Sequence, residues 1–286
     1  MKKLMITTAA FAAALALNAD VVSSSVVGYS AKTQASTAPT GILTFQWDNV
    51  SDGDIYVNGF VTPSVKGTAY NHGVEDDVTE GWYLTAPKIQ VRRPDGGYTT
   101  LYYADDMWDD ANSESVEGWG TEDGVLDTTT KLALGGGAWV SCAGANCNFT
   151  TAGAVASEET AVGGDSTITM LCGGAFPVAF KVNDSNAVTW TLTPGTAYNH
   201  GVDDDVTEGW HLSAPKIQIR RVDGGYTTLY YADDMWDDAN SESVAGWGTE
   251  DGVLDVDTTV DVGGGFWLNQ PNGDKKIYVT VKNPVK

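Results

Sequence analysis

The chain is poor in the residues that most readily announce a chemistry. It has three cysteines, three histidines and only 16 Lys and Arg against 38 Asp and Glu, a formal charge of −22. A basic face for a phosphate backbone is therefore missing, which excludes nucleic acid as a partner. Zinc is a poor fit, because no fourth ligand stands at a suitable spacing from the cysteines. No serine sits in a Gly-x-Ser-x-Gly context. Only His72 and His200 recur as equivalents, each before a glycine, where a lone histidine serves a turn more often than a general base. Beyond the first residues no apolar run approaches the length of a membrane span, and no stretch keeps a helical period.

What the start does contain is Lys2-Lys3, an apolar run from Leu4 to Leu17, and small residues before Asp20. These are the parts of a secretory signal. Residues 1–19 are expected to be removed after Leu17-Asn18-Ala19, with Ala14-Leu15-Ala16 as the alternative cut. The mature chain is expected to be soluble and secreted, extracellular or on the cell surface, with the periplasm as the other exported compartment.

The dominant feature is a repeat. Residues 67–127 return as 195–255, with 55 of 61 positions identical. The differences are Glu75/Asp203, Tyr83/His211, Thr85/Ser213, Val91/Ile219, Pro94/Val222 and Glu117/Ala245. A repeat of fixed period sets the architecture. The block also holds the acidity: its copies carry −11 and −10, together −21 of the −22. Six of the ten tryptophans lie in it, and no cysteine.

Within each copy, alternating Lys88–Arg92 precedes an Asp-Gly-Gly turn and the aromatic run Tyr98–Tyr103, a hairpin pattern repeated over Lys216–Tyr231. Lys131–Leu134 and Ala138–Val140 flank Gly135-Gly136-Gly137, which reads as a glycine hinge; Val260–Val262, Gly263–Gly265 and Phe266–Leu268 match them. Gly41–Phe45, Asp54–Val57, Thr167–Leu171, Val178–Val182 and Lys276–Val281 are also strand-like. Many short strands between Gly, Asp and Asn turns predict an all-β chain, two tandem β-sandwich or barrel-like units. Unit 1 is expected over 20–158 and unit 2 over 159–286. Cys142 and Cys147 are disulfide candidates, which leaves Cys172; pairing of Cys172 with either one is the alternative, and an intermolecular bridge a third.

Ser23–Tyr29 after a signal, Ile89–Tyr103 with Trp108, Gly135–Trp139, Ile217–Trp236, Gly263–Trp267 and Thr151–Val155 resemble segments of a group of uncharacterised exported bacterial proteins. Those carry a VVGY strand after cleavage and a GxGFW-type motif. The resemblance implies a β-rich exported protein without assigned chemistry. The doubled module and the acidity depart from it.

Two chemistries suit the block. Asp105, Asp106, Asp109 and Asp110 bracket Trp108, as Asp233, Asp234, Asp237 and Asp238 bracket Trp236. Ca²⁺ takes six to eight oxygen ligands, so these are the expected metal residues, against a reading as solvated acidic loops. Glu75-Asp76-Asp77 and Asp203-Asp204-Asp205 are a second, thinner cluster. Trp108, Trp119, Trp236 and Trp247 are expected to be partly exposed and to stack on sugar rings, against a reading as core. The expected function is that of a non-catalytic exported structural or surface protein, a coat, fibre or matrix component, Ca²⁺-stabilised and self-associating. Val21–Tyr29 and Ile277–Val281 are expected to pair within the chain or, by strand addition, with a neighbouring subunit, which is one route to self-association. A bivalent carbohydrate-binding protein is the alternative, and a secreted hydrolase based on His72 and His200 the third.

Overall fold

The computed structural model describes residues 27–35, 40–49, 53–71, 77–93, 96–143, 145–164, 168–199, 205–221, 223–271 and 276–283. The expected signal, His72, His200, and most of the 75–77 and 203–205 clusters lie outside them. The fold is all-β, with antiparallel sheets in two tandem sets.

The first set runs β1 (Val27–Gln34), β2 (Gly41–Thr44), β3 (Ile55–Tyr56), β4 (Val61–Pro63), β5 (Lys88–Arg92), β6 (Tyr98–Asp109), β7 (Glu114–Gly120), β8 (Lys131–Leu132), β9 (Gly137–Ser141) and β10 (Cys147–Ala154). The second runs β11 (Ala161–Gly164), β12 (Ile168–Cys172), β13 (Phe180–Lys181), β14 (Val188–Leu192), β15 (Lys216–Arg220), β16 (Tyr226–Asp237), β17 (Glu242–Gly248), β18 (Thr259–Val260), β19 (Phe266–Gln270) and β20 (Ile277–Val281). Each set pairs its strands alike. The five-stranded orders are β2-β9-β5-β6-β7 and β12-β19-β15-β16-β17; the three-stranded orders are β1-β10-β4 and β11-β20-β14; ribbons β3-β8 and β13-β18 complete them. The duplication therefore covers the whole strand order, well past the 61 residues still alike in sequence. β10 ends and β11 begins on either side of the 158/159 junction.

Alternation explains the layers. In β5, Ile89 and Val91 face one way, and Lys88, Gln90 and Arg92 the other, because strand side chains have a period of two. Ile89, Leu101, Trp119, Ala138 and Val140 from the five-stranded sheet pack on Val61 and Phe149 from the three-stranded one, with Ile55 and Leu132 of the ribbon at the side. Ile217, Leu229, Trp247, Phe266, Leu268, Ile277 and Val279 repeat this core. These are sandwiches, each closed by burying one face of every sheet. β20 lies between β11 and β14, so both its edges are filled. Strand addition at Ile277–Val281 is thereby corrected: the alternation that made it look like a closing strand is that of a central one.

The two units meet across a near two-fold axis. Trp139 and Trp267, 128 residues apart, stack on each other with ring centroids at 5.9 Å and planes 28° apart. The backbone exchanges bonds in both directions. Thr44 N donates to Gly263 O (3.1 Å) and Gly173 N to Gly135 O (2.9 Å). Equivalent residues touching one another is the pattern of an isologous contact. The triple glycines belong here. A Cβ on Gly265 would lie 2.3 Å from Thr44 Cγ2, and Gly135 has φ +72°. The glycines read as a hinge thus serve close approach between units.

Candidate functional site

Residues 67–71 and 77–87 of the repeated block form a strap across the outer face of β6 and β7. Gly67 N donates to Tyr103 O (2.9 Å), and Asp105 N returns a bond to Gly67 O (3.1 Å). Beneath the strap, Ala69, Trp82, Ala86, Ala104 and Met107 make a small second core. Trp82 opens a 3₁₀ turn, Trp82–Leu84, after Gly81 at φ 74°, and its Nε1 donates to Glu122 O at 2.9 Å. The other copy repeats this with Ala197, Trp210, Ala214, Ala232 and Met235.

A bulge positions the acidic segment. Ala104 faces Gly118 and Met107 faces Val116, so β6 carries one residue more than β7 between these points. An extra residue re-aims the side chains that follow. Ala104 and Met107 can then both face the strap, where strict alternation would have separated them. Asp106 is buried with them, 5% exposed. Its Oδ1 accepts from Ala69 N (2.6 Å) and its Oδ2 from Tyr70 N (2.9 Å). Asp234 is 6% exposed and accepts from Ala197 N and Tyr198 N at 2.6 and 2.9 Å. These carboxylates fasten the strap to the sheet.

Asp109 closes the next turn. It accepts from Asn112 Nδ2 (2.8 Å) and Ala111 N (2.9 Å), and Ser113 takes the left-handed region at φ 55°. The Asn112 amide first, then the backbone, holds the Asp109 carboxyl below the usual carboxylate range. Asp237 is bonded alike by Asn240 Nδ2 (2.8 Å) and Ala239 N (2.9 Å). Asp105 and Asp110 are exposed, as are Asp233 and Asp238; Asp105 stands 3.9 Å from Lys66. The four aspartates of each loop are thus divided between backbone ties and solvent. Among the described residues no three Asp, Glu, His or Cys side chains converge as a cation site would require.

The tryptophans divide as well. Trp108 and Trp236 are 36% and 37% exposed, held at the backbone by Gly124 O and Gly252 O, each at 2.8 Å. Trp119 and Trp247 are fully buried, a correction to their expected exposure. The polar flanks misled, because in β7 the inward positions keep packing into the core even where their neighbours are charged. Trp119 Nε1 donates to Val61 O (2.6 Å), and its ring stacks on Phe149 at 6.3 Å. His211, in the 3₁₀ turn Trp210–Leu212, packs its ring on Tyr230 at 5.1 Å, as Tyr83 packs on Tyr102 at 5.3 Å.

Asn58 was not foreseen. Its Oδ1 accepts from Trp119 N (2.6 Å), and its Nδ2 donates to Trp119 O and Asp127 O. Asn183 does the same for Trp247 and Asp255. The two lie 125 apart rather than 128, outside the identical block, so the only signal was an asparagine ahead of each copy. Lys66, Glu117 and Tyr103 form a cluster of unit 1: Lys66 Nζ and Tyr103 Oη each reach Glu117 at 2.9 Å. Lys66 and then Tyr103 hold Glu117 below the usual carboxylate range. Pro194 and Ala245 stand where Lys66 and Glu117 would recur, so both partners changed together. Cys142 and Cys147 are disulfide-bonded, and Cys172 is free and buried; burial pushes its thiol well up.

Comparison with family models, with curated proteins and with solved structures finds no match to this chain.

Proposed function

We propose that the chain is a non-catalytic exported structural or surface protein that presents two equivalent acidic, tryptophan-bearing faces from a fused pair of sandwiches. One observation carries this reading. In both copies the buried and half-buried aspartates of the repeated block are bonded to its own backbone, at Asp106, Asp109, Asp234 and Asp237. Asp105, Trp108 and Asp110 are left facing outward. Such a block stabilises a presented surface. Static and dynamic light scattering of the mature protein at rising concentration, with Ca²⁺ and with a chelator, tests it. Concentration-dependent growth of the particle supports a self-associating coat or matrix component; a constant monomer mass in both conditions removes that role. Melting in the same two buffers tests Ca²⁺, since a ligand of the native state must raise stability by about 2.7 kcal/mol at a hundredfold excess over its Kd.

A second reading, bivalent binding of extracellular glycans, is favoured by the partial exposure of Trp108 and Trp236. Two linked weak sites would gain avidity from their fixed spacing. A glycan array that is blank, or unchanged in the double variant Trp108→Ala/Trp236→Ala, removes it.

A further inference from the structure

The seam between the units leaves two clefts related by the same near two-fold. One, of about 250 Å³, is lined among others by Lys32, Gln34 and Ile42 of unit 1 and by Arg220, Arg221 and Asp261 of unit 2. The other, of about 630 Å³, takes Arg92, Arg93 and Lys131 from unit 1 and Met170 from unit 2. Arg220 corresponds to Arg92 and Arg221 to Arg93, each 128 positions apart, and by register Leu171, which also lines the larger cleft, corresponds to Ile42. The clefts thus gather cations in a chain that has few.

The smaller cleft has cations without partners. Among the described residues the Lys32 ammonium makes no hydrogen bond and no ion pair; burial lowers its pKa, and Asp261 opposes this only through space. Arg220 lies over the Tyr226 ring at 4.8 Å, and its buried Nε has no acceptor among the described residues. Arg221, by contrast, is paired with Asp223 at 3.1 Å. In the larger cleft Lys131 is paired with Asp54 at 2.6 Å and Arg92 lies over Trp267 at 5.7 Å. Register places Gly164 where unit 1 has Lys32: Lys32 faces Phe149 and Gly164 faces Ile277, 128 apart. The unpaired lysine is therefore particular to one cleft. Partly desolvated cations that no carboxylate contacts directly are unfavourable, and Asp261 is the only acidic side chain among the described residues that line the cleft.

We propose that the smaller seam cleft is an oxyanion-binding site, seating a carboxylate, sulfate or phosphate group between the Lys32 ammonium and the Arg220 guanidinium. Arg presents a fork that matches such groups, and Lys a point charge. The walls come from both units, so an occupant ties the seam together. The group has two sources, a free anion or an acidic side chain from a second copy of the chain.

Calorimetric titration of the mature protein with inorganic sulfate, phosphate and galacturonate tests the site, alongside Lys32→Met, Arg220→Gln and the larger-cleft control Arg92→Gln. Saturable binding with a stoichiometry of one is expected. It should weaken about tenfold or more in Lys32→Met and in Arg220→Gln, each losing a charge-assisted bond, and stay unchanged in Arg92→Gln. If a second copy supplies the carboxylate, wild type instead self-associates, sulfate competes with that association, and Lys32→Met restores the monomer. Circular dichroism establishes that each variant is folded. No saturable binding and no sulfate-sensitive association in folded wild type overturns the proposal, as does equal binding by wild type, Lys32→Met and Arg220→Gln.

Discussion

Replacing Asp106 by Asn tests the assignment of the repeated block to internal support. The side chain is 5% exposed and accepts from two backbone N–H groups on successive residues of the strap, at 2.6 and 2.9 Å. Asn keeps the shape and one acceptor oxygen. Its amide NH₂ then faces the second N–H, donor against donor, and the charge that strengthened both bonds is gone. A bond to a charged acceptor contributes about 1.5–3 kcal/mol, and an orphaned buried donor loses a similar amount. Asp106→Asn should therefore destabilise by about 2–4 kcal/mol. A unit of this size shifts by roughly 3–5 °C per kcal/mol, so a melting loss of roughly 10 °C follows.

The duplication supplies an internal control. Asp234 has the same two bonds at the same 2.6 and 2.9 Å, so Asp234→Asn should cost the same within about 0.5 kcal/mol. Urea unfolding followed by tryptophan fluorescence reads both, since Trp82 and Trp210 lie in the small cores that the carboxylates hold down. Refutation would be an unchanged midpoint for Asp106→Asn. A variant of wild-type stability in chelator that had lost a Ca²⁺-dependent shift would refute it in favour of a metal ligand.

Trp119→Phe should cost about 1–2 kcal/mol more than Trp247→Phe, because Trp119 Nε1 donates to Val61 O while Trp247 Nε1 has no acceptor; removing the first leaves a buried carbonyl unpaired. Glu117→Ala should cost at most about 0.5 kcal/mol, since the Lys66 pair is exposed. The Glu117 pKa is depressed on folding, so its contribution is present above the ordinary carboxylate pKa and lost as pH falls through the folded value; acid titration of the variant should be flatter in that window only. Cys142→Ser with Cys147→Ser opens a loop of six residues and should cost about 2 kcal/mol, read by melting under non-reducing conditions. Trp139→Ala with Trp267→Ala removes the stack at the seam; scanning calorimetry should then show separated transitions for the two units, where wild type shows them merged.

The strands, the hairpins and the tandem order were legible because each rests on local signals: period-two alternation in Lys88–Arg92, an Asp-Gly-Gly turn, aromatic runs. The bulge was not legible. Ala104-Asp105-Asp106-Met107 offers four residues with no alternation to interrupt, and only the pairing with Gly118 and Val116 reveals the extra one. Asp105 and Asp106 already alternate; the extra residue brings Met107 beside Ala104 beneath the strap, whose Ala69 and Tyr70 N–H groups hold Asp106 while Asp105 faces solvent, so four carboxylates that look alike in sequence divide into two kinds. The exposure of Trp119 failed for a related reason. Its charged neighbour Glu117 shares its face of β7 but stands nearer the rim, and burial is decided by Tyr103 and Phe149, which are distant in sequence. The triple glycine was visible as glycine, but its reason lies in the other unit, where Thr44 Cγ2 leaves no room for a Cβ.

Contact geometry also accounts for what the two copies still share. Inside the block, strap, bulge and turn bind one another: Gly67 needs Tyr103, Asp106 needs Ala69 and Tyr70, Trp82 needs the Glu122 carbonyl. A change at one position strands a partner 36–40 residues away. Among the described residues the differences are those that strand nothing. Tyr83 and His211 keep a ring against Tyr102 and Tyr230. Glu117 is absent from unit 2 where Lys66 is absent too. Outside the block, Asn58 and Asn183 hold the same three backbone groups although three residues have been gained or lost between copies. The framework can therefore drift in length so long as single anchors persist. The strap cannot, because its anchors are mutual, and at the seam drift has made the units chemically different, with Lys32 in one unit and Gly164 at the matching register of the other.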